Sequence, residues 1–208
     1  MASDWASENL KVIRTLMERS SIYRRALAPT MLAAGAVGLI ASMIPCFVQI
    51  ESGSAFAAYW MVVGALGFAL SVFLVRRQAV RDGEVFWSPP TRRVAQALSP
   101  AFTAGLVAGL CYLGCPWLGE QSTWLLPALW MILYGCALHA AGFFMPRGIR
   151  LFGWAFLIFG ALALMILGAT PRAQTPEAGH YLMGMFFGVA QLAYGGYLLF
   201  TEKRKNGQ

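Results

Sequence analysis

The chain has 208 residues, of which 58% are hydrophobic and only 12% are charged. A soluble domain is typically about a quarter charged, so this composition excludes an ordinary soluble protein and predicts one whose main solvent is lipid. The net charge of +7 would suggest nucleic acid binding in a soluble protein. Here the basic residues stand at the ends of apolar runs, where orientation in a membrane explains them, and we therefore predict no nucleic acid partner.

Residues 1–25 are polar and lack the short apolar core and the small-residue cleavage site of a signal peptide. Trp5, Leu10, Ile13 and Leu16 recur at roughly helical spacing, with basic residues between them. This pattern predicts an amphipathic helix that lies on the inner membrane surface. A cytoplasmic tail that packs on the membrane spans is the alternative.

Six apolar runs follow, each long enough to cross a hydrocarbon core of roughly 30 Å, which takes about 20 helical residues. The sequence therefore predicts an all-α fold, a six-helix integral membrane bundle occupying residues 26–200. Residues 76–98 form its predicted cytoplasmic loop and residues 201–208 a basic cytoplasmic tail. The six predicted spans are Leu27–Gln49, Ala55–Val75, Ser99–Leu118, Thr123–Met145, Ile149–Ala169 and Ala178–Phe200.

Lysine and arginine are distributed unevenly between the two sides of these spans. Fifteen of the 16 basic residues lie in the N-terminal segment, the second and fourth links and the C-terminal tail, and the exception is Arg172. Cytoplasmic loops carry an excess of Lys and Arg. We therefore predict a plasma (inner) membrane protein with both termini in the cytoplasm.

Each pair of spans repeats one pattern: a basic opener, a proline near the end of the first helix and an aromatic residue in the second. Near-equal intervals favour duplication and predict three two-helix hairpins, residues 26–75, 99–145 and 149–200, around a pseudo-three-fold axis. The intervals are 35 residues from Arg25 to Trp60, 37 from Arg93 to Trp130 and 36 from Arg150 to Phe186. The repeat places Cys46 and Cys115 at similar depth, and a disulfide between them stays open.

An ionisable residue at membrane depth is a functional candidate, and His139 in the fourth span is the clear case. We group it with Tyr134, Cys136 and Gln191 as a candidate intramembrane polar site. A neutral imidazole hydrogen-bonded to a neighbouring helix is the structural interpretation, and haem or metal ligation is the alternative. His180 is predicted near the outer end of the sixth span, too far in depth to pair with His139, and no cofactor is predicted.

Small residues within the spans predict close helix packing, because lipid offers no hydrophobic drive and backbones must approach one another. The candidate packing residues are Gly105 and Gly109, which form a GxxxG pattern, and Ala34 with Gly38.

Aromatic and basic residues in the longest link predict an interfacial anchor. Phe86 and Trp87 precede a Pro-Pro turn, and Arg92 and Arg93 follow it. Tryptophan favours the headgroup layer and arginine the anionic lipids. A docking site for a protein partner is the alternative.

Two short segments and the hairpin repeats carry a family resemblance. The segments are Gly64-Ala65-Leu66-Gly67 in the second span and Leu167-Gly168-Ala169-Thr170-Pro171 at the outer end of the fifth. The chain resembles the bacterial acid-resistance membrane proteins of the HdeD type. The resemblance implies a stress-associated inner-membrane protein and carries over no catalytic residues. The loop at 76–98 and the N-terminal surface helix depart from that compact plan.

Three hypotheses of function follow. The absence of a nucleophile elbow, phosphate loop, zincin helix or paired carboxylates in the sequence favours a non-enzymatic structural or stress-protective protein. Its partners would be the bilayer and its anionic head groups, and a homo-oligomer stays open. The second hypothesis is a small channel or facilitator, and the third is a redox or cofactor protein that uses His139 and the cysteines. The predicted channel lining is Thr30, Ser42, Thr103, His139 and Gln191.

Overall fold

The computed structural model describes residues 26–50, 52–115 and 122–206, with side chains as far as Thr201. The predicted surface helix in residues 1–25 lies outside this range. The described residues form six helices and no strand. These are α1 (Ala26–Cys46), α2 (Gly53–Arg81), α3 (Pro89–Gly114), α4 (Leu125–Ala141), α5 (Arg147–Ala169) and α6, which runs through Pro176–Met183, a π-helical turn at Gly184–Ala190, and Gln191–Asn206.

Five of the helices in the described ranges are long and apolar enough to cross a membrane, and α4 is a shorter apolar helix of 17 residues. The predicted all-α architecture is therefore confirmed, and the long apolar helices are consistent with a membrane protein. The helix in the predicted fourth span is shorter than expected because both of its ends are turns, at residues 123–124 and 142–146. At 1.5 Å per residue, α4 is about 26 Å long.

The segment 76–98, predicted as a loop, is mostly helical. α2 continues to Arg81, and the chain turns at Gly83, whose φ of 67° suits glycine. The Glu84 amide then donates to the Ala79 carbonyl at 2.9 Å and closes the helix end. α3 begins at Pro89, and proline fits the first turn of a helix because that turn needs no amide donor. Polar residues continue both helices beyond the apolar stretches, so residues 82–88 alone connect them.

Successive helices run in opposite directions and contact one another in the order of the chain. The Tyr59 hydroxyl of α2 donates to the Ala41 carbonyl of α1, and Phe68 of α2 contacts Phe102 of α3. Trp130 of α4 reaches the Gly105 carbonyl of α3. One end of the bundle therefore holds residues 82–88 and 142–146, which we call the arginine end, and the opposite end is the Ser52 end.

Glycines allow the backbones to touch at two helix pairs. A Cβ on Gly38 of α1 would lie 2.6 Å from the Phe187 carbonyl carbon of α6. A Cβ on Gly135 of α4 would lie 2.7 Å from the Gly153 carbonyl oxygen of α5. The first and last helices of the bundle are therefore neighbours. The pseudo-three-fold repeat stays a prediction.

Candidate functional site

A buried polar pair joins α4 to α6. Gln191 is 3% exposed, and its Nε2 donates to the Tyr134 hydroxyl at 3.1 Å. Gln191 directly follows the π-helical turn at Gly184–Ala190, a distortion that is frequent at functional sites. The sequence grouped Tyr134 with Gln191, and the structure brings these two together.

Aromatic rings enclose this pair. The Tyr134 ring lies 5.0 Å from Phe156, 5.2 Å from Phe187 and 6.2 Å from Phe102, measured between centroids. These rings come from α5, α6 and α3, so the pair stands where four helices meet. Neither an amide nor a phenol is ionised near neutral pH. The arrangement can therefore hold helices together, but it carries no charge for acid–base chemistry.

Two polar atoms on α6, one within this pair and one near it, are buried without a partner in the described part of the chain. Gln191 Oε1 and the Tyr194 hydroxyl have no hydrogen-bond partner among the described residues. Tyr194 stacks on Phe152 of α5 with centroids 4.4 Å apart. Its hydroxyl lies over Gly148, where a Cβ would come within 2.6 Å of it. Sequence reasoning missed Tyr194, although its spacing of three from Gln191 places both on one helix face.

A second buried pair, near the Ser52 end, was also missed. His180 is 5% exposed, and its Nδ1 accepts a hydrogen bond from Trp60 Nε1 at 2.9 Å. Phe56 packs on the imidazole at 4.7 Å between centroids, and Tyr59 at 6.1 Å. The signal in the sequence was Trp60, the aromatic residue of the first repeat. Spacing along the chain could not show which histidine it meets.

His139 lies apart from both pairs. Its ring contacts Phe143 and Trp154 edge-on, with centroids 5.5 and 5.3 Å away. Its Nδ1 is buried and has no partner among the described residues, so the interhelical hydrogen bond predicted for it is not formed through this atom. Instead His139 borders a cavity at the arginine end. Cys136 is exposed on the bundle surface. The four residues predicted as one site are therefore not all brought together.

A cavity of about 330 Å³ opens at the arginine end, between α4 and the start of α5. It is lined by His139, Arg147, Arg150, Leu151 and Trp154. From the sequence, both arginines were expected to orient the protein in the membrane, and Arg150 was also the basic opener of the third repeat.

Three of the four candidate packing residues, the glycines, lie at helix contacts. A Cβ on Gly109 would lie 2.6 Å from Met61 Sδ of α2, and one on Gly105 would be in ordinary contact with Trp130 at 3.5 Å. On α1, Gly35 accompanies Gly38 in meeting α6, with its Cβ position 2.8 Å from the Leu192 amide nitrogen. Ala34 is half-buried.

The candidate anchor residues stand at the arginine end. Trp87 is 59% exposed and its ring centroid lies 6.3 Å from that of Phe86. Arg92 and Arg93 are exposed in the first turns of α3. The position suits an interfacial anchor, which stays a prediction.

The four cysteines, Cys46, Cys111, Cys115 and Cys136, are unbonded in the structure, so the disulfide left open for Cys46 and Cys115 is not formed. Among the described residues, no group of three or more His, Cys, Asp or Glu side chains is placed to hold a metal ion. No protein-family model, curated protein or solved structure matches the chain.

Proposed function

We propose that the chain is a non-enzymatic integral membrane protein with a structural, stress-protective role at the bacterial inner membrane. The observation that carries this proposal is the centre of the bundle, where the Tyr134–Gln191 pair is enclosed by aromatic rings of three helices. Backbone contacts at Gly38 and Gly135 close the helices on either side. Such packing favours a rigid body in the bilayer.

The channel hypothesis is weaker because its predicted lining residues do not converge. The Thr30 hydroxyl donates to Ala26 O at 2.7 Å and the Ser42 hydroxyl to Leu39 O at 2.8 Å, each within its own helix. Thr103 is exposed on the bundle surface. Gln191 is in the centre, and His139 borders the cavity at one end.

The redox hypothesis is weaker because its residues are dispersed. His139 packs on aromatic rings at the arginine end. Cys46 is in the last turn of α1, at the opposite end, and Cys46, Cys111 and Cys136 are exposed. His139 and Cys46 therefore lie too far apart to hold one cofactor together.

Flux measurements test the structural proposal. Purified protein reconstituted into vesicles should give no proton or small-solute flux above that of protein-free vesicles, with an ionophore as positive control. Flux that Gly135→Leu abolishes would establish a pathway through the bundle and overturn the proposal.

Survival measurements test the stress-protective part. Cells that lack the protein should survive acid challenge less well than cells that express it, because the proposed role is protection of the membrane under stress. Equal survival would contradict the stress-protective role and would not affect the structural role.

A further inference from the structure

The cavity at the arginine end concentrates positive charge at one point of the bundle. Arg147 and Arg150 both line it, together with His139. Asp82, Glu84 and Glu177 are the acidic residues whose side chains the structure describes. Asp82 accepts the Gln78 amide, and none of the three lines the cavity. The charge of the two arginines is thus left without a protein counter-ion in the described part of the chain.

The start of α5 adds to this charge. Arg147 is the first residue of a 23-residue helix, with Pro146 before it, no side-chain cap and no acidic residue in the first turn. A helix N-terminus carries a partial positive charge and favours anions. Two arginines in the first turn add positive charge where negative charge is favoured. A bound anion would offset the charge of the arginines and that of the helix end.

The arginine beside the ring of Phe143 is held in position by its surroundings. Arg150 Cζ lies 5.1 Å from the Phe143 ring centroid, a distance typical of a cation–π contact. Gly142 makes this possible, because a Cβ there would overlap Arg150 Cγ. A guanidinium fixed in this way loses little freedom when it binds a planar or tetrahedral anion.

The rim of the cavity is apolar and open. Leu151 is 71% exposed and Trp154 50%, so the cations have hydrocarbon surface directly beside them. A volume of about 330 Å³ is at the lower end of the roughly 300–1,000 Å³ of small-molecule sites. A basic pocket with an apolar rim fits a ligand with an anionic head and a lipid tail.

We propose that this cavity binds the phosphate group of an anionic membrane lipid. Arg147 and Arg150 hold the phosphate oxygens by charge-assisted hydrogen bonds, and Leu151 and Trp154 lie along the acyl chains. The site goes beyond the proposed structural role, which requires no specific lipid. The proposal does not depend on which leaflet of the membrane the arginine end occupies.

Lipid binding to single protein molecules tests this proposal. Purified protein in a neutral detergent is titrated with phosphatidylglycerol or phosphatidylcholine, and bound lipid is counted by native mass spectrometry. Wild type should bind phosphatidylglycerol and prefer it to phosphatidylcholine. Losing a hydrogen bond to a charged group weakens binding roughly 10- to 100-fold, so we expect at least about a tenfold loss in Arg147→Gln/Arg150→Gln.

The matched control is Arg76→Gln/Arg77→Gln, which removes the same charge from exposed residues of α2. It should bind phosphatidylglycerol within about twofold of wild type, since exposed single charges contribute little. An equal loss in both double variants would reduce the effect to overall charge and overturn the site. Unchanged binding in Arg147→Gln/Arg150→Gln would overturn it as well.

Two further measurements distinguish a lipid site from a free-phosphate site and a lost site from a lost fold. Inorganic phosphate that competes fully with the lipid, together with unchanged lipid binding in Trp154→Ala, would assign the site to free phosphate and overturn the lipid. Thermal unfolding of the lipid-free variants checks the fold. Should the double variant unfold, Arg147→Gln alone tests the same site, because Arg147 is exposed at the helix start. This single change should still weaken lipid binding several-fold, and unchanged binding would overturn the proposal.

Discussion

Trp60–His180 and Tyr134–Gln191 each connect α6 to another helix through a side-chain hydrogen bond. In a bilayer such bonds average about 0.6 kcal/mol and reach about 1.7 kcal/mol in double-mutant cycles. They are modest individually because the unfolded chain in the membrane also finds partners. Their main effect is to orient α6, since each bond fixes which face of α6 points inward.

The Trp60–His180 bond should be measurable by a double-mutant cycle. We expect Trp60→Phe and His180→Leu each to lower the free energy of unfolding, with a coupling of about 0.6–1.7 kcal/mol between them. Unfolding in detergent with added sodium dodecyl sulfate, followed by circular dichroism, gives these values. Trp87→Phe is the control, because that ring is 59% exposed, and it should change stability little. A coupling of zero would contradict the hydrogen bond.

The sequence could predict candidate residues at this scale, but it could predict their pairing only in part. Membrane depth singled out His139, which was grouped with Tyr134, Cys136 and Gln191, and two of these four meet in the structure. His139 points elsewhere because it lies five residues after Tyr134, which is about 140° around a helix with 3.6 residues per turn. The partner of His180 depends on how α2 is rotated, which residue types do not fix.

At the scale of the helices, glycine determines where two backbones touch. The α1–α6 contact uses Gly35 and Gly38 against Gly188 and its neighbours. The sequence predicted Ala34 with Gly38, since small residues four apart share a face. Both patterns are present on α1, and only the contact with α6 selects between them.

Gly38→Ala should destabilise the protein by about 1–3 kcal/mol, because the added methyl meets the backbone of α6 and overpacking costs this much. Gly64→Ala is the matched control, since nothing lies within 4 Å of its Cβ position. Alanine is the better helix former by up to about 1 kcal/mol, so this variant should be neutral or slightly more stable. Unfolding in detergent compares the two, and equal effects would contradict the close approach of α1 to α6.

At the scale of the whole molecule, composition sufficed for an all-α membrane fold, since a deeply uncharged chain has few alternatives. Helix lengths were predicted less well, because helices continue past the apolar stretches into residues 76–98. The repeat could not be carried through to side chains. The repeat predicts equivalent positions for Trp60 and Trp130, yet Trp60 bonds to His180 of α6 and Trp130 to the Gly105 carbonyl of α3.

The proposed orientation places the arginine end in the cytoplasm, and reporter insertions test it. A reporter enzyme that is active only in the periplasm should give signal after Ser52 and none after Gly83. Both sites are exposed and lie in links between helices, so insertion should leave the bundle intact. Signal from the Gly83 insertion and none from the Ser52 insertion would show that the protein has the opposite orientation in the membrane.

The shortness of α4 has a consequence for how the protein is made. At about 26 Å, α4 falls short of a hydrocarbon core of about 30 Å, and much of its surface is covered by neighbouring helices. A short link, residues 142–146, joins it to α5, and the two backbones touch at Gly135 and Gly153. We therefore expect the nascent α4 to leave the translocon together with α5 as one helical hairpin, so that integration waits until the ribosome has completed α5.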